Sequence, residues 1–346
     1  MTLLMVALLG GLSSLMAQEQ PVTAADLEAL NNRIAELETQ LDKQEKRAEK
    51  WGKVVEKLPK ISGFTKIGYT WDDAGTSNFK VQYVRVSLVG DLGKKFDYKL
   101  QFEFSSPKLI DAYVRWKVHP AFGVQFGQFH VPFSLEGPLS PTKLETIDGS
   151  YTGDEVTSLP DTRDLGFQFY GQFAKAKDDH YYFDYGVGVF QGEGKNKADA
   201  NKSKDVIGRL KFFPVKELCL TGSYSYGERG ADYVVNQRAA AGVEYKPQNW
   251  VVRSEYFWHK QGTREAAYTE GFYVVAMYQV DKFAPAVRYN FHNEKTLRSD
   301  RSDYVVGLNY LPVKNLKLQL NYTLTTFSQS QVHNLNTIGF AAIAMF

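Results

Sequence analysis

The chain has 346 residues, 43% hydrophobic and 14% aromatic, with a formal net charge of only +2. That balance is too weakly basic for a nucleic-acid surface, and no nucleic-acid motif is present. Mean hydropathy is −0.36, and beyond the leader no stretch approaches the ~18 apolar residues of a membrane helix, which excludes a helical membrane protein.

Residues 1–17 form an apolar stretch ending Leu15-Met16-Ala17 before Gln18. This predicts a secretory signal that is removed on export, although the usual positive region is missing. Cys219 is a lone cysteine between Leu218 and Leu220. It suits an oxidising envelope, having no intrachain partner, and reads as a structural residue facing the lumen.

Residues 18–59 change character. Leu27, Leu30, Ile34, Leu37, Leu41, Gln44, Ala48, Trp51, Val55 and Leu58 alternate three and four apart. This heptad pattern predicts a coiled-coil helix that associates with copies of itself, with a helix folded back on the rest of the chain as the alternative. Thr23 and Asp26 form a capping-box-like start, and Pro59 marks the stop. The charges between Glu36 and Lys50 fit the solvated faces of an oligomer. The mixed core positions leave the copy number open.

Residues 60–346 are segments of about ten residues in which apolar and polar side chains alternate, as in a transmembrane β-barrel. Leu316, Leu318, Leu320, Tyr322 and Leu324 oppose Lys317, Gln319, Asn321 and Thr323; Ile338, Phe340, Ala342, Ala344 and Phe346 oppose Thr337, Gly339, Ala341 and Ile343. With period two, one face meets lipid and the other water. A soluble sandwich also alternates, but its strands are shorter than the ~9–11 residues of a tilted membrane strand. The fold class is therefore all-β: an antiparallel transmembrane barrel of about sixteen strands after an N-terminal coiled-coil helix. Candidate strands start near residues 61, 79, 96, 108, 122, 164, 181, 205, 216, 234, 249, 270, 283, 303, 315 and 335. Asp91-Leu92-Gly93, Phe213-Pro214-Val215 and Leu311-Pro312-Val313 read as short periplasmic turns, and residues 192–204 and 260–269 as external loops. The barrel's N-terminus places the helix in the periplasm, where contact with the cell wall is conceivable. The longest insertion, about 131–162, carries prolines and apolar residues that suit packing in the lumen as a constriction.

Gly127-Gln128-Phe129-His130-Val131-Pro132-Phe133, following Val84-Arg85-Val86-Ser87-Leu88 and Lys99-Leu100-Gln101-Phe102-Glu103-Phe104, resembles the phosphate-selective porin O and P family; Asp111-Ala112-Tyr113-Val114 resembles its fourth strand. The resemblance spans roughly residues 60–346. It implies a sixteen-stranded trimeric outer-membrane channel for anions, with an arginine and lysine ladder and an inward third loop.

Face assignment independently puts Lys66, Arg85, Lys99, Arg115, Lys117, Arg209, Lys211, Arg238, Arg253, Arg288 and Lys317 inside, against Glu103, Asp111, Asp184, Glu244 and Glu255. A net lining of roughly +6 would concentrate anions in the bore. The competing reading is that these charges pair across the wall, Arg253 with Glu255 in particular. The insertion opposes the wall: between His130 and Asp164 it carries Glu136, Glu145, Asp148, Asp154, Glu155, Asp161 and Asp164 against only Lys143 and Arg163, and the first five acids with Lys143 are expected at the constriction. It has no basic cluster for phosphate, and its acids lack a metal-ligand spacing.

The expected function is passive outer-membrane diffusion of small hydrophilic solutes, anion-preferring, phosphate-like anions included, with anionic or neutral solutes as cargo. Expected partners are membrane lipid, lipopolysaccharide and further copies, as a trimer; no cofactor is expected. The alternatives are a barrel scaffold in an envelope complex, whose sign would be a plugged lumen, and an outer-membrane hydrolase. For the latter, His119, His130, His180, His259, His292 and His333 carry no local catalytic signature.

Overall fold

The structure, a computed structural model, describes residues 23–55, 58–157, 161–262, 268–294, 299–329 and 332–346. The predicted signal lies outside the described residues. The chain forms two compact units that divide between Leu58 and Pro59.

The first unit is helix α1, Ala24–Val55, about 48 Å long at the usual rise per residue. Pairs one turn apart stabilise its polar side, Arg33 with Glu36 at 2.6 Å and Lys46 with Asp42 at 2.7 Å. Leu27, Leu30, Ile34, Leu37, Leu41 and Trp51 are all exposed. An unburied apolar stripe of this length contributes nothing to stability within a single copy.

The second unit is sixteen strands: β1 Lys60–Asp72, β2 Ser77–Asp91, β3 Phe96–Glu103, β4 Lys108–His119, β5 Phe122–His130, β6 Arg163–Lys175, β7 Tyr181–Phe190, β8 Asp205–Val215, β9 Leu218–Arg229, β10 Val234–Tyr245, β11 Trp250–Gln261, β12 Tyr268–Tyr278, β13 Phe283–Glu294, β14 Ser299–Val313, β15 Leu316–Phe327 and β16 Leu335–Met345. Each pairs antiparallel with the next, and β16 returns to β1 from Phe64↔Met345 to Asp72↔Thr337. Gly63 and the terminal Phe346 exchange both backbone hydrogen bonds, at 2.9 and 3.0 Å. Closure leaves no sheet edge for lipid to face, which is the condition for backbone in hydrocarbon. The strands start close to the expected positions; the largest offset is β14, expected near 303 and observed from Ser299.

Two of the three expected turns are displaced. Phe213–Val215 and Leu311–Val313 end β8 and β14, and the turns are Lys216-Glu217 and Lys314-Asn315. The register breaks between Phe212 and Val215 and between Tyr310 and Val313. Each proline thus sits at an irregularity, where its missing N–H costs no ladder bond. In the β2–β3 turn Gly93 takes φ +80°, a conformation glycine adopts without a steric cost.

Alternation sets the two faces. Leu320, Tyr322, Ile338 and Phe340 are exposed on the outside, whereas Lys317, Gln319, Asn321, Ala341 and Ile343 are buried on the inside. Cys219 is buried on the inner face as well. The segment after β5 runs into the barrel. It contains a 3₁₀ turn, Pro141–Lys143, and a short helix, α2, Tyr151–Thr157. Val131, Phe133 and Val156 of this segment join Phe129, Phe190, Ile207, Ala240, Phe257, Tyr273 and Val275 of the wall in one buried cluster. Each such side chain contributes on the order of 1.5–3 kcal/mol. The interior therefore holds a true apolar core beside its polar lining.

Candidate functional site

The wall holds the inward segment by its backbone. Glu255 of β11 accepts hydrogen bonds from the N–H of Leu135 at 2.6 Å, the N–H of Glu136 at 2.9 Å and the hydroxyl of Ser134 at 3.1 Å. Inner-face cations bind its carbonyls: Lys66 donates to Ile147 and Lys317 to Leu144, each at 2.5 Å, and Arg209 to Ser134 at 2.9 Å. Arg238 donates to the carbonyls of Val156 and Thr157, at 3.3 and 3.4 Å. A cation there satisfies the free carbonyls at the end of α2 and meets its negative pole.

The side chains of the segment complete the clamp. Glu136 receives both terminal nitrogens of Arg288, at 2.6 and 3.0 Å, and one of Arg253 at 3.3 Å. Glu145 accepts from Arg253 at 2.6 Å. Arg253 also donates to Tyr273 at 3.0 Å and to Glu244 at 3.1 Å. Burial disfavours ionised Glu136, but Arg288 and then Arg253 outweigh it and hold the carboxyl below the usual carboxylate range. The expected Arg253–Glu255 pair does not form, because Glu255 is occupied by the loop backbone and by the Tyr273 hydroxyl at 2.9 Å.

The basic ladder thus divides. Lys66, Arg238, Arg253 and Arg288 project inward, yet the loop covers them to about 1% exposure. They hold protein, not the solute path, which corrects their sequence-based placement on an open bore. The cations on β2–β4 are less covered, from 13% exposure at Arg85 to 43% at Lys117. Arg85 pairs with Glu103 at 2.9 Å and Lys99 with Asp111 at 2.6 Å. Arg115 grips Asp97 with two bonds of 2.8 and 3.0 Å and remains 36% exposed. Lys117, 43% exposed, lies 3.2 Å from Asp91 and 3.3 Å from Asp97. Arg209 and Lys211, on the inner face of β8, differ again: neither forms an ion pair within 4.0 Å among the described residues, although Asp184 of β7 stands opposite Lys211 in register.

The remaining loop residues face the bore. Asp148 is 83% exposed with Lys66 at 4.0 Å. Lys143, Asp154 and Glu155 are exposed too. Asp154 is open to the bore but walled in by the barrel. Enclosure first, then the charges of Glu136 and Asp148, push its carboxyl up to about 7, against hydration through its exposed side. Of the five acids expected at the constriction, Glu136 and Glu145 are neutralised beneath the loop, and Asp148, Asp154 and Glu155 keep their faces to water.

Three groups escaped sequence reasoning. Asp97 lies two residues before Lys99, so period two alone would have found it. Arg163, which binds Asp111 at 2.7 Å, belongs to the wall at the foot of β6. The use of Glu255 as a backbone receptor has no signal in sequence, since its partners lie about 120 residues away.

A cavity of about 350 Å³ lies beneath the loop base, lined by Arg115, Gln125, Gln168, Tyr170, Asp184 and Arg209 with Val131, Pro132 and Pro138. Another of about 150 Å³ lies between Lys66, Arg85 and Arg163 of the wall and Asp148 and Asp154 of the loop. The loop therefore narrows the interior without filling it.

No curated protein matches the chain in sequence. Solved structures share its fold at low identity. An anion-selective porin from Comamonas acidovorans aligns with TM-score 0.65 and 13% identity over 83% of this chain and 99% of that one. OmpF of Salmonella typhi, in complex with daunomycin, gives 0.63 and 15% over 84% and 98%. The trimer form of OmpT, an outer membrane protein of Vibrio cholerae, gives 0.60 and 12% over 83% and 99%. The family model described as phosphate-selective porin O and P matches residues 67–235. That match runs from β1 into β10, and over it the chain is similar to the phosphate-selective porin O and P family.

Proposed function

We propose that the chain is a passive, anion-preferring channel for small hydrophilic solutes. The observation that carries the preference is Arg209 with Lys211: two neighbouring cations on the inner face of β8, without an ion-pair partner among the described residues. Asp184 stands opposite Lys211 on β7, so the two cations leave one positive charge in excess, and inside a low-dielectric wall it draws mobile counter-ions. Arg115 and Lys117 add partly exposed positive groups between these two cations and the short-turn end. The name of the Comamonas protein, an anion-selective porin, supports the same sign. Strict phosphate selectivity has less support, because the loop that narrows the bore presents Asp148, Asp154 and Glu155 with Lys143. No bond is made or broken in this reading, and transport runs down the solute's own gradient.

In this reading the short-turn end faces the periplasm, and residues 18–59 stand there as an oligomerising helix after a signal, residues 1–17, is removed. The exposed stripe of α1 supports association with further copies. The trimer form of the Vibrio structure makes three the natural number. Lipid and lipopolysaccharide would cover the apolar outer face.

The test is the reversal potential of the purified protein in a planar bilayer under a KCl gradient, repeated with phosphate added. A chloride-ward potential supports the proposal. A near-zero or potassium-ward potential means that the loop acids dominate and overturns it.

A further inference from the structure

The cavity beneath the loop base has a chemistry that the sign of selectivity alone does not explain. Donors and apolar surface both line it. Arg209 spends one terminal nitrogen on the carbonyl of Ser134 at 2.9 Å, and its Nε is buried with no partner. The hydroxyl of Tyr170 and the amide oxygen of Gln168 are likewise buried and unpartnered. An unmet buried polar atom costs free energy, so the two donors among these, the Arg209 Nε and the Tyr170 hydroxyl, call for an occupant that accepts, while the Gln168 oxygen needs a donor of its own.

Part of the lining is apolar. Val131, Pro132 and Pro138 come from the loop, and the two prolines have no N–H to offer an anion. Gly186 opens room beside them, since a Cβ there would stand only 3.0 Å from Pro132. Asp184 also lines the cavity and opposes a second negative charge on any occupant.

We propose that this cavity binds a small organic monocarboxylate with a flat apolar body, in preference to inorganic phosphate. A monocarboxylate has oxygens for the donors of Arg209 and Tyr170 and a hydrocarbon body for the valine and prolines of the same lining. Phosphate carries oxygens all round, and those turned toward the prolines and valine would be desolvated without a hydrogen bond. At neutral pH it also carries more negative charge beside Asp184. The cavity volume of about 350 Å³ falls at the lower end of small-molecule sites. This inference rests on the anion-preferring reading and adds a solute class to it.

The experiment uses the full-length protein in a planar bilayer, with benzoate, acetate and phosphate added separately as blockers of the KCl current. Benzoate should half-block at a concentration about tenfold below acetate or phosphate, the ratio expected when one ring's worth of apolar contact is added. Arg209→Gln should raise the benzoate value about tenfold through loss of one charge-assisted bond. Phosphate blocking as well as benzoate does, or a benzoate value unmoved by Arg209→Gln, overturns the site. If Arg209→Gln forms no channels, Tyr170→Phe decides: it removes the hydroxyl donor and should raise the benzoate and acetate values severalfold together, and unchanged values are fatal. The reversal potential without blocker separates the two ideas. A chloride-ward potential with no benzoate advantage sinks the site alone, whereas a potassium-ward one with benzoate block and Arg209 dependence retains the site and removes the general preference.

Discussion

Two neighbouring loop acids should respond in opposite ways to neutralisation, and the contrast tests how the loop is held. Glu136→Gln removes the charge that faces both terminal nitrogens of Arg288 and one of Arg253. Removing one partner of a buried pair costs roughly 3–5 kcal/mol. Gln keeps the shape and one acceptor, and Glu145 still holds Arg253 at 2.6 Å, so about 2–3 kcal/mol is the better figure for weakened docking. That corresponds to a thirtyfold or greater rise, roughly, in the population of the undocked loop. Asp148→Asn removes a charge that is mostly in water, 4.0 Å from Lys66, and such contacts are worth little. Trypsin reports the difference, because cutting after Lys143 requires the loop to leave the barrel. With fast opening and closing, the rate of cutting follows the open population. Glu136→Gln should be cut about thirtyfold faster, and Asp148→Asn at the wild-type rate but with a more chloride-ward reversal potential. Equal cutting of wild type and Glu136→Gln would refute the clamp.

The carboxyl of Asp154, pushed up to about 7, should make selectivity depend on pH. It is neutral at low pH and charged above about 7, beside Glu136, Asp148 and Glu155. Chloride preference should therefore fall from pH 5.5 to 8.5, and Asp154→Asn should flatten that response in reversal-potential measurements. Stability follows the same sign. A carboxyl raised in the folded state leaves stability full below its ordinary value of 3.8 and erodes it as the pH climbs toward about 7. Replacing Arg115 and Lys117 together by Glu should reverse the charge of the short-turn mouth and move the potential toward potassium; no movement would take both residues out of the path. Deleting residues 18–58 should lower the temperature at which the detergent-solubilised oligomer dissociates, read by light scattering. An oligomer of unchanged size and heat resistance would remove α1 from assembly.

The barrel was legible because its rule is local. Alternation with period two needs only the residue two places away, so the faces of β15 and β16 and the starts of most strands followed from sequence. The displaced turns show the limit. Phe213-Pro214-Val215 has turn composition, but a strand end accepts proline where the ladder is already broken. The inner charges show a deeper limit. That Arg253 and Arg288 point inward was readable; that Glu136, more than a hundred positions away, lies on top of them was not. Ion pairs across a barrel depend on where a long insertion settles, and its settling depends on backbone contacts such as those to Glu255 and Lys66.

Counting inner charges therefore misjudges a lining of this kind. Arg253 and Arg288 are cancelled by Glu136 and Glu145 of the loop they hold, so the pairs that fix the constriction contribute little field to the solute path. On β2–β4 most cations are similarly matched: Arg85 by Glu103, Lys99 by Asp111, Arg115 by Asp97. What remains unmatched among the described residues is small and divided, with Asp148, Asp154 and Glu155 on the loop and Arg209, Lys211 and Asp184 on β7–β8. When most charges are paired, a few unpaired ones set the sign of the field. The ladder's length is a poor guide to selectivity here. Its consequence is specific: charge reversal at Arg253 or Arg288 should act chiefly by releasing the loop, accelerating cleavage after Lys143, whereas Lys211→Glu should change the reversal potential in a channel whose loop remains protected.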